Sequence, residues 1–435
     1  MLFLITVNYM TGNKLYERLT LLLLVVLPIN YMVFNILLKS IPLIRYSKDL
    51  IMISLLGLMF TKRLKIKKDS AKIFLVIIGI FTLIFIKIAF SFNIPDSLYA
   101  ARLLLVPLLF YLCYNFRGIS KALTIKILNV LFCLSVILAI WGIFQAFVLR
   151  DTFLIKLNYK GMEGKLSSGF YISGYRGIQR ITSTFAAPNL YALFTNMMLF
   201  LLVSVKEKLS LKNRTYIAGL IIMLISSVLT FSRSGWLGLA FGSAYYLLRT
   251  RKITKKQVDF LLFGGFVIII ITIFVFLTNE SIYKAFSLLI TRTFNSTDPS
   301  LIGHMDSFKK TMGMIISNPF GYKWLGYSGP RTRHHVINYN VESSLLLMGL
   351  ELGIIGAVLY IVLFAQIIKN IHRSPYKYGI QSAIFAIIPS LLLLPLLAEY
   401  ELTTFVFIMI VLVNNLGKME EKEYMQKIIA TIKNN

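Results

Sequence analysis

Arg233 is the only charged residue in an apolar stretch of 34 residues, Thr215 to Leu248, bounded by Arg214 and Arg249. A guanidinium at the centre of a bilayer costs about 2.5–3.5 kcal/mol unless something pairs with it. No acid lies in the stretch, so the residue asks for an anionic ligand. Three more arginines stand in comparable places. Arg102 follows Tyr99-Ala-Ala inside another apolar block, with only 14 residues between it and Arg117. Arg176 and Arg180 lie just ahead of the block that opens Phe185-Ala-Ala-Pro-Asn189. Arginine's planar fork binds phosphate oxygens in bidentate fashion and never loses its charge. Together the four read as a clamp on a phosphate-bearing ligand. The bland alternative is snorkelling, in which a long cationic side chain near a helix end lifts its charge to the headgroups.

A proton acceptor would complete such a site. His304, His334 and His335 could serve near neutral pH, and Glu342 could serve as an ionised carboxylate. His372 falls in a basic loop and takes no role. The chain has no His-Glu-x-x-His, no Cys-x-x-Cys, no Gly-rich phosphate loop and no Gly-x-Ser-x-Gly. Its outer loops lack the paired Asp-x-Asp that a divalent ion would need. Neither a metal nor a cofactor is expected.

The elements that must hold these residues are membrane helices. Hydrophobic residues make up 57% of 435 positions, and apolar blocks of span length recur from end to end. The expected spans are roughly 19–38, 43–60, 71–91, 97–114, 122–148, 186–205, 215–231, 234–248, 258–277, 341–368, 378–397 and 400–416. The fold class is therefore an all-α integral membrane protein of about twelve transmembrane helices, forming one polytopic domain over residues 1–435. Two segments fit the pattern worst: the second span carries Arg45, Lys48 and Asp49, and Glu399 and Glu401 interrupt the last pair. The stretch from Thr215 is too long for one crossing of about 30 Å, so the chain should turn back near Thr230-Phe-Ser-Arg-Ser-Gly235.

Loops 61–72, 206–214, 249–257 and 369–377 are short, basic and fall on one side, which the positive-inside rule makes cytoplasmic. Both termini then lie inside. Met1 to Met10 is too short and too poor in basic residues for a secretory leader, so the first apolar block reads as a retained span. The net charge of +28 sits mostly in these loops, which makes the bilayer the partner and excludes nucleic acid. Cys113 and Cys133 read as packing residues. Two outward connections, 150–185 and 278–340, exceed the usual loop length and are expected to fold as an extracytoplasmic cover over the active site.

Four segments carry a family resemblance: Arg180-Ile-Thr-Ser-Thr-Phe-Ala-Ala-Pro-Asn189, Leu229-Thr-Phe-Ser-Arg-Ser-Gly235, Ile316-Ser-Asn-Pro-Phe-Gly321, and Ser343 to Gly356, ending Leu350-Glu-Leu-Gly-Ile-Ile-Gly. In this order, ahead of and inside a late helix, they resemble the O-antigen polymerase and O-antigen ligase family of bacterial polysaccharide assembly. The resemblance implies inverting glycosyl transfer, without metal or nucleotide, on the outer face of the bacterial plasma (inner) membrane. The implied donor is a glycan on undecaprenyl pyrophosphate. A flippase and a chain-length regulator are implied further partners. Arg180 and Arg233, with Arg102 and Arg176, match the pyrophosphate-binding arginines. His335, Glu342 or His334 is left as the base. Family ligases carry a His-Asn pair shortly before the Gly-Ile-Ile-Gly helix, where this chain has Asn340-Val-Glu342. That departure favours a polymerase of capsule or O-antigen type over a ligase. A lipid-linked glycan flippase is the reading from another class, but no internal repeat supports it.

Overall fold

The computed structural model describes residues 12–38, 40–41, 46–60, 70–159, 166–172, 175–250, 284, 287, 291, 299–327, 341–371 and 374–434. The expected span 258–277, together with Arg45, His334, His335 and His372, lies outside the described residues.

Helices α1 (Gly12–Met32, continued by one wide turn, Val33–Leu37), α2 (Ser47–Phe60), α3 (Ala71–Ala89), α4 (Ile94–Arg117) and α5 (Lys121–Phe144) form the first half of the bundle. A short α6 (Arg150–Lys156) and a hairpin of β1 (Tyr171–Ile172) and β2 (Tyr175–Gln179) follow. Next come α7 (Pro188–Ser204), α8 (Asn213–Val228), α9 (Arg233–Thr250), α10 (Pro299–Ser317), α11 (Ser344–Asn370), α12 (Lys377–Leu393) and α13 (Tyr400–Asn434). The turn expected near Thr230 lies between α8 and α9.

Among the described residues, six helices are long and apolar enough to cross a membrane: Lys14–Leu37, Ala71–Ala89, Ile94–Arg117, Lys121–Lys156, Ser344–Asn370 and Tyr400–Thr431. Pro188–Ser204, Asn213–Val228 and Lys377–Leu393 are apolar but shorter. A helix of 17 residues spans only about 25 Å, less than the hydrocarbon core. Packing explains why short helices suffice. Every residue of α7 from Tyr191 to Leu202 is buried, with α8, α9, α12 and α13 around it. Protein rather than lipid surrounds α7. Close approach does the rest: a Cβ at Gly238 of α9 would run into the Ala386 carbonyl of α12.

The described residues fit the all-α expectation, with one small addition. Loop 150–185 holds the β1–β2 hairpin, paired antiparallel. Backbone groups that leave a helix while staying buried must find partners, and a hairpin supplies them locally. The segment 278–340, expected to face outward, likewise carries its own helix, α10.

The two ill-fitting spans explain each other. Lys48 of α2 donates to Glu401 Oε1 of α13 at 2.5 Å, and both side chains are largely shielded. Beside them Arg102 of α4 meets Asp49 Oδ1 of α2 at 2.5 Å and Tyr400 at 2.6 Å, and Tyr400 donates to the same Asp49 oxygen at 3.1 Å. Charges that spoil each span alone cancel across three helices. Breaking a buried pair from one side strands a charge at about 3–5 kcal/mol, whereas replacing both partners with apolar residues is near neutral. Glu401→Gln is therefore expected to lower the unfolding temperature of the detergent-purified protein. The double variant Lys48→Met/Glu401→Leu should restore most of the loss. A single variant as stable as the parent would show that the pair carries no weight.

Candidate active site

The Thr230–Gly235 turn is built by its own hydroxyls. Thr230 Oγ1 donates to the Ser227 carbonyl at 2.6 Å and accepts from the Ser232 N–H at 3.3 Å. Ser232 then caps α9: its Oγ accepts from Gly235 N at 3.1 Å and its carbonyl from Trp236 N at 2.8 Å. Phe231 takes a positive φ of 48° to make the reversal. Arg233 is thus the first helical residue, where the positive end of the helix dipole adds to its own charge.

Arg180 comes to this turn from the hairpin. It follows β2 directly, and its backbone N–H bonds the Phe170 carbonyl at 2.8 Å. Its Nε donates to the Thr230 carbonyl at 2.8 Å, Nη1 to the Gly169 carbonyl at 2.9 Å, and Nη2 to Asn189 Oδ1 at 2.7 Å. The guanidinium therefore ties the hairpin, the mouth of α7 and the α8–α9 turn together through neutral oxygens alone. Burial, and then the neighbouring charge of Arg233, push its pKa down to about 10. It keeps its proton at neutral pH but lacks a counter-charge among the described residues. The structure brings Arg180 and Arg233 together as two neighbouring cations.

The other two arginines are placed differently. Arg102 has Tyr400, Asp49 and Glu401 as its electrostatic neighbours, so its charge is answered within the protein. Arg176 lies on β2. A cavity of about 150 Å³, lined by Asn30, Tyr31, Thr184, Phe185, Glu399 and Glu401, opens between the Lys48–Glu401 pair and the segment that follows Arg180.

The Asn318-Pro-Phe-Gly321 and Leu350–Gly356 segments form one unit. Helix α11 breaks at Gly353, whose φ is 79°. The freed groups are met by the loop: Tyr322 N donates to the Leu350 carbonyl at 2.7 Å and Ile354 N to the Pro319 carbonyl at 2.9 Å. Buried Glu351 accepts from Gly326 N at 2.5 Å, and Ser97 at the head of α4 donates to the Leu325 carbonyl at 2.8 Å. At either end of this unit stand α10 and the start of α11. There His304 Nδ1 of α10 contacts Glu342 Oε2, two residues before the helix opens. Both are partly exposed, as a base that meets substrate must be.

Glu342 was legible as a candidate, and His304 stood among the possible bases. Their pairing was not, because 38 positions of intervening chain separate them. The kink at Gly353 was missed because the apolar pattern runs through it unbroken. It generates a test. Gly353→Ala forces an L-residue into the left-handed region at about 1–2 kcal/mol and sets a Cβ 2.5 Å from the Pro319 oxygen. The unfolding temperature should drop, and protease cleavage within 318–327 should quicken. Gly303→Ala, with nothing within 4 Å of the added carbon, should do neither. Equal behaviour of the two variants would contradict the docking of the loop on the kink.

Comparison with known proteins centres on these elements. Residues 218–361 match the family described as O-antigen ligase. A stretch of 114 residues is 32% identical to a ComP-specific O-oligosaccharyltransferase of Acinetobacter baylyi, covering 26% of this chain and 20% of the length of that relative. The family match takes in the Arg233 turn, His304, Glu342 and the kinked helix; Arg102, Arg176 and Arg180 precede it.

Proposed function

We propose, on the premise that this chain is an O-antigen ligase-like membrane protein, that it transfers a glycan from an undecaprenyl pyrophosphate carrier to an acceptor hydroxyl on the outer face of the plasma membrane. The observation that carries the reading is the meeting of Arg180 and Arg233 at one turn, with only neutral oxygens around the Arg180 fork. Breaking a sugar C1–phosphate bond builds charge on the departing pyrophosphate, and fixed cations stabilise it where it develops. Two unit charges about 4 Å apart at an effective dielectric near 20 interact by about 4 kcal/mol.

The steps balance without further reactants. The acceptor O–H gives its proton to a base while its oxygen attacks C1. The C1–O bond breaks, its electron pair leaves with the pyrophosphate, and the anomeric centre inverts. His304 is the base that the geometry favours: Glu342 against Nδ1 orients the ring and would stabilise the imidazolium, which leaves Nε2 to accept. His335, Glu342 and His334 are the alternatives from the sequence.

The matched family is described as O-antigen ligase and the relative is named an O-oligosaccharyltransferase, which supports ligase-type transfer over the polymerase that the missing His-Asn pair suggested. Glycan analysis of a deletion strain separates them. Loss of a ligase leaves long lipid-linked glycans without an acceptor. Loss of a polymerase leaves single outward-facing repeats, and repeats trapped inside would mean a flippase.

Arg233→Lys is the cleaner test of the clamp, because Arg180 also knits three segments and its loss should lower stability. At matched protein level, Arg233→Lys should remove most transfer, since lysine keeps the charge but not the fork. Snorkelling predicts no loss. For the base, His304→Gln should cut turnover by about 10²–10⁴ while donor binding persists. Unchanged turnover would return the role to His335 or His334.

A further inference from the structure

A cationic cavity lies at the far end of the bundle. Helix α4 carries Ser97 against the Leu325 carbonyl near its head and Arg117 at its tail. At about 1.5 Å per residue the two stand about 30 Å apart. Around Arg117 a cavity of about 690 Å³ opens between the start of α1, the α4–α5 turn and α13. Arg117, Lys418 and Lys422 supply its positive charge, and Glu17 is the one acid among its described walls.

The charges are sorted, not scattered. On α13, positions 415, 418, 419 and 422 fall on one helical face, and all four line the cavity. Two acids of the same helix stretch are engaged by lysines outside the cavity lining. Glu420 pairs with Lys208 at 2.7 Å and with Lys121 at 3.6 Å, while Glu423 pairs with Lys121 at 2.6 Å. Glu17 accepts the Ser120 hydroxyl at 2.7 Å. The Arg117 guanidinium lies 3.9 Å over the Tyr16 ring, which fixes it in place. The depth is also defined. Helix α13 is buried continuously from Thr404 to Gly417 and exposed from Glu421 onward. Its 35 residues reach about 52 Å, well past a hydrocarbon core of about 30 Å. Lys418 and Lys422 therefore stand where a helix leaves the apolar layer.

We infer that this cavity binds the headgroup of an anionic phospholipid, with its phosphate between Arg117, Lys418 and Lys422. Basic pockets between membrane helices at headgroup depth have this function. A free phosphate ion would leave most of the cavity empty, whereas a glycerophosphate headgroup can also use the Tyr16, Ile119 and Met419 walls. The site is independent of the transfer reaction at the other end.

The test uses the purified full chain in detergent, titrated with phosphatidylglycerol, phosphatidylcholine or inorganic phosphate while thermal unfolding is followed. Phosphatidylglycerol should raise the unfolding temperature, and the other two should not. Each basic residue near an anionic surface contributes about 1 kcal/mol. Lys418→Gln/Lys422→Gln should therefore need roughly 30-fold more phosphatidylglycerol for half the effect. Lys309→Gln/Lys310→Gln removes the same charge from exposed positions of α10 and should leave the titration unchanged. Three results would overturn the site: equal stabilisation by phosphatidylcholine, equal stabilisation by inorganic phosphate, or an unshifted titration in the cavity variant. Native mass spectrometry showing one retained phosphatidylglycerol in the parent and none in that variant would support it.

Discussion

Charge placed in a low-dielectric layer must be answered, and the way this chain answers each embedded charge organises the rest of the structure. Around Arg102 the answer is internal. Asp49, Tyr400, Glu401 and Lys48 close a network across α2, α4 and α13, and the result is structural cement. Around Arg180 the answer is partial. Carbonyl and amide oxygens satisfy its hydrogen-bonding geometry without neutralising it, and its charged neighbour is another arginine. The first arrangement needs nothing more. The second satisfies the hydrogen-bonding groups of the fork and leaves its charge unanswered among the described residues.

Holding such a site requires backbone that is irregular but not loose. The α8–α9 turn takes a positive φ at Phe231 and is braced by Thr230 and Ser232. The break in α11 at Gly353 is braced by the loop that fills it. In a membrane protein, non-helical backbone survives only where protein groups satisfy it. Both irregular points meet that condition, and both coincide with the short motifs on which the family resemblance rests. The motifs are thus the local chemistry of two backbone breaks as much as they are lists of reactive residues.

How far this was legible depends on the range of the interaction. Apolar blocks mark α2 to α5 and α7 to α9 to within a few residues, because burial acts on every position of a span; α1 begins earlier, at Gly12 and not at 19, and α6 lies in a segment that reads as loop. The return near Thr230 followed from span length alone. Cross-chain pairing could not be read in the same way. Lys48 and Glu401 stand 353 positions apart, and each looked like a defect in its own span until the other was beside it. In sequence Arg102 and Arg180 both read as members of one clamp. Only the packing of α2 against α4 and α13 shows that Asp49 answers the charge of Arg102, whereas Arg180 meets neutral oxygens. The His304–Glu342 contact belongs to the same class.

The supply of Arg180 from a hairpin, not from a helix, has a physical rationale. A helix would present the residue on a single face with its backbone already satisfied. At the end of β2 the backbone is itself a connector: Arg180 N binds the Phe170 carbonyl at 2.8 Å, and Ile181 N reaches the Leu229 carbonyl at 3.4 Å. Thr184 then ties the following segment to the Pro28 carbonyl of α1 at 2.7 Å. Side chain and backbone of one short stretch are therefore anchored to four separate elements before any ligand arrives. Cations held in advance need no reorganisation when charge develops on a leaving group, and preorganised electrostatics of this kind contribute most to catalysis. The cost of bringing like charges together is met during folding, by the packing of α7 and the hairpin, and not during each turnover.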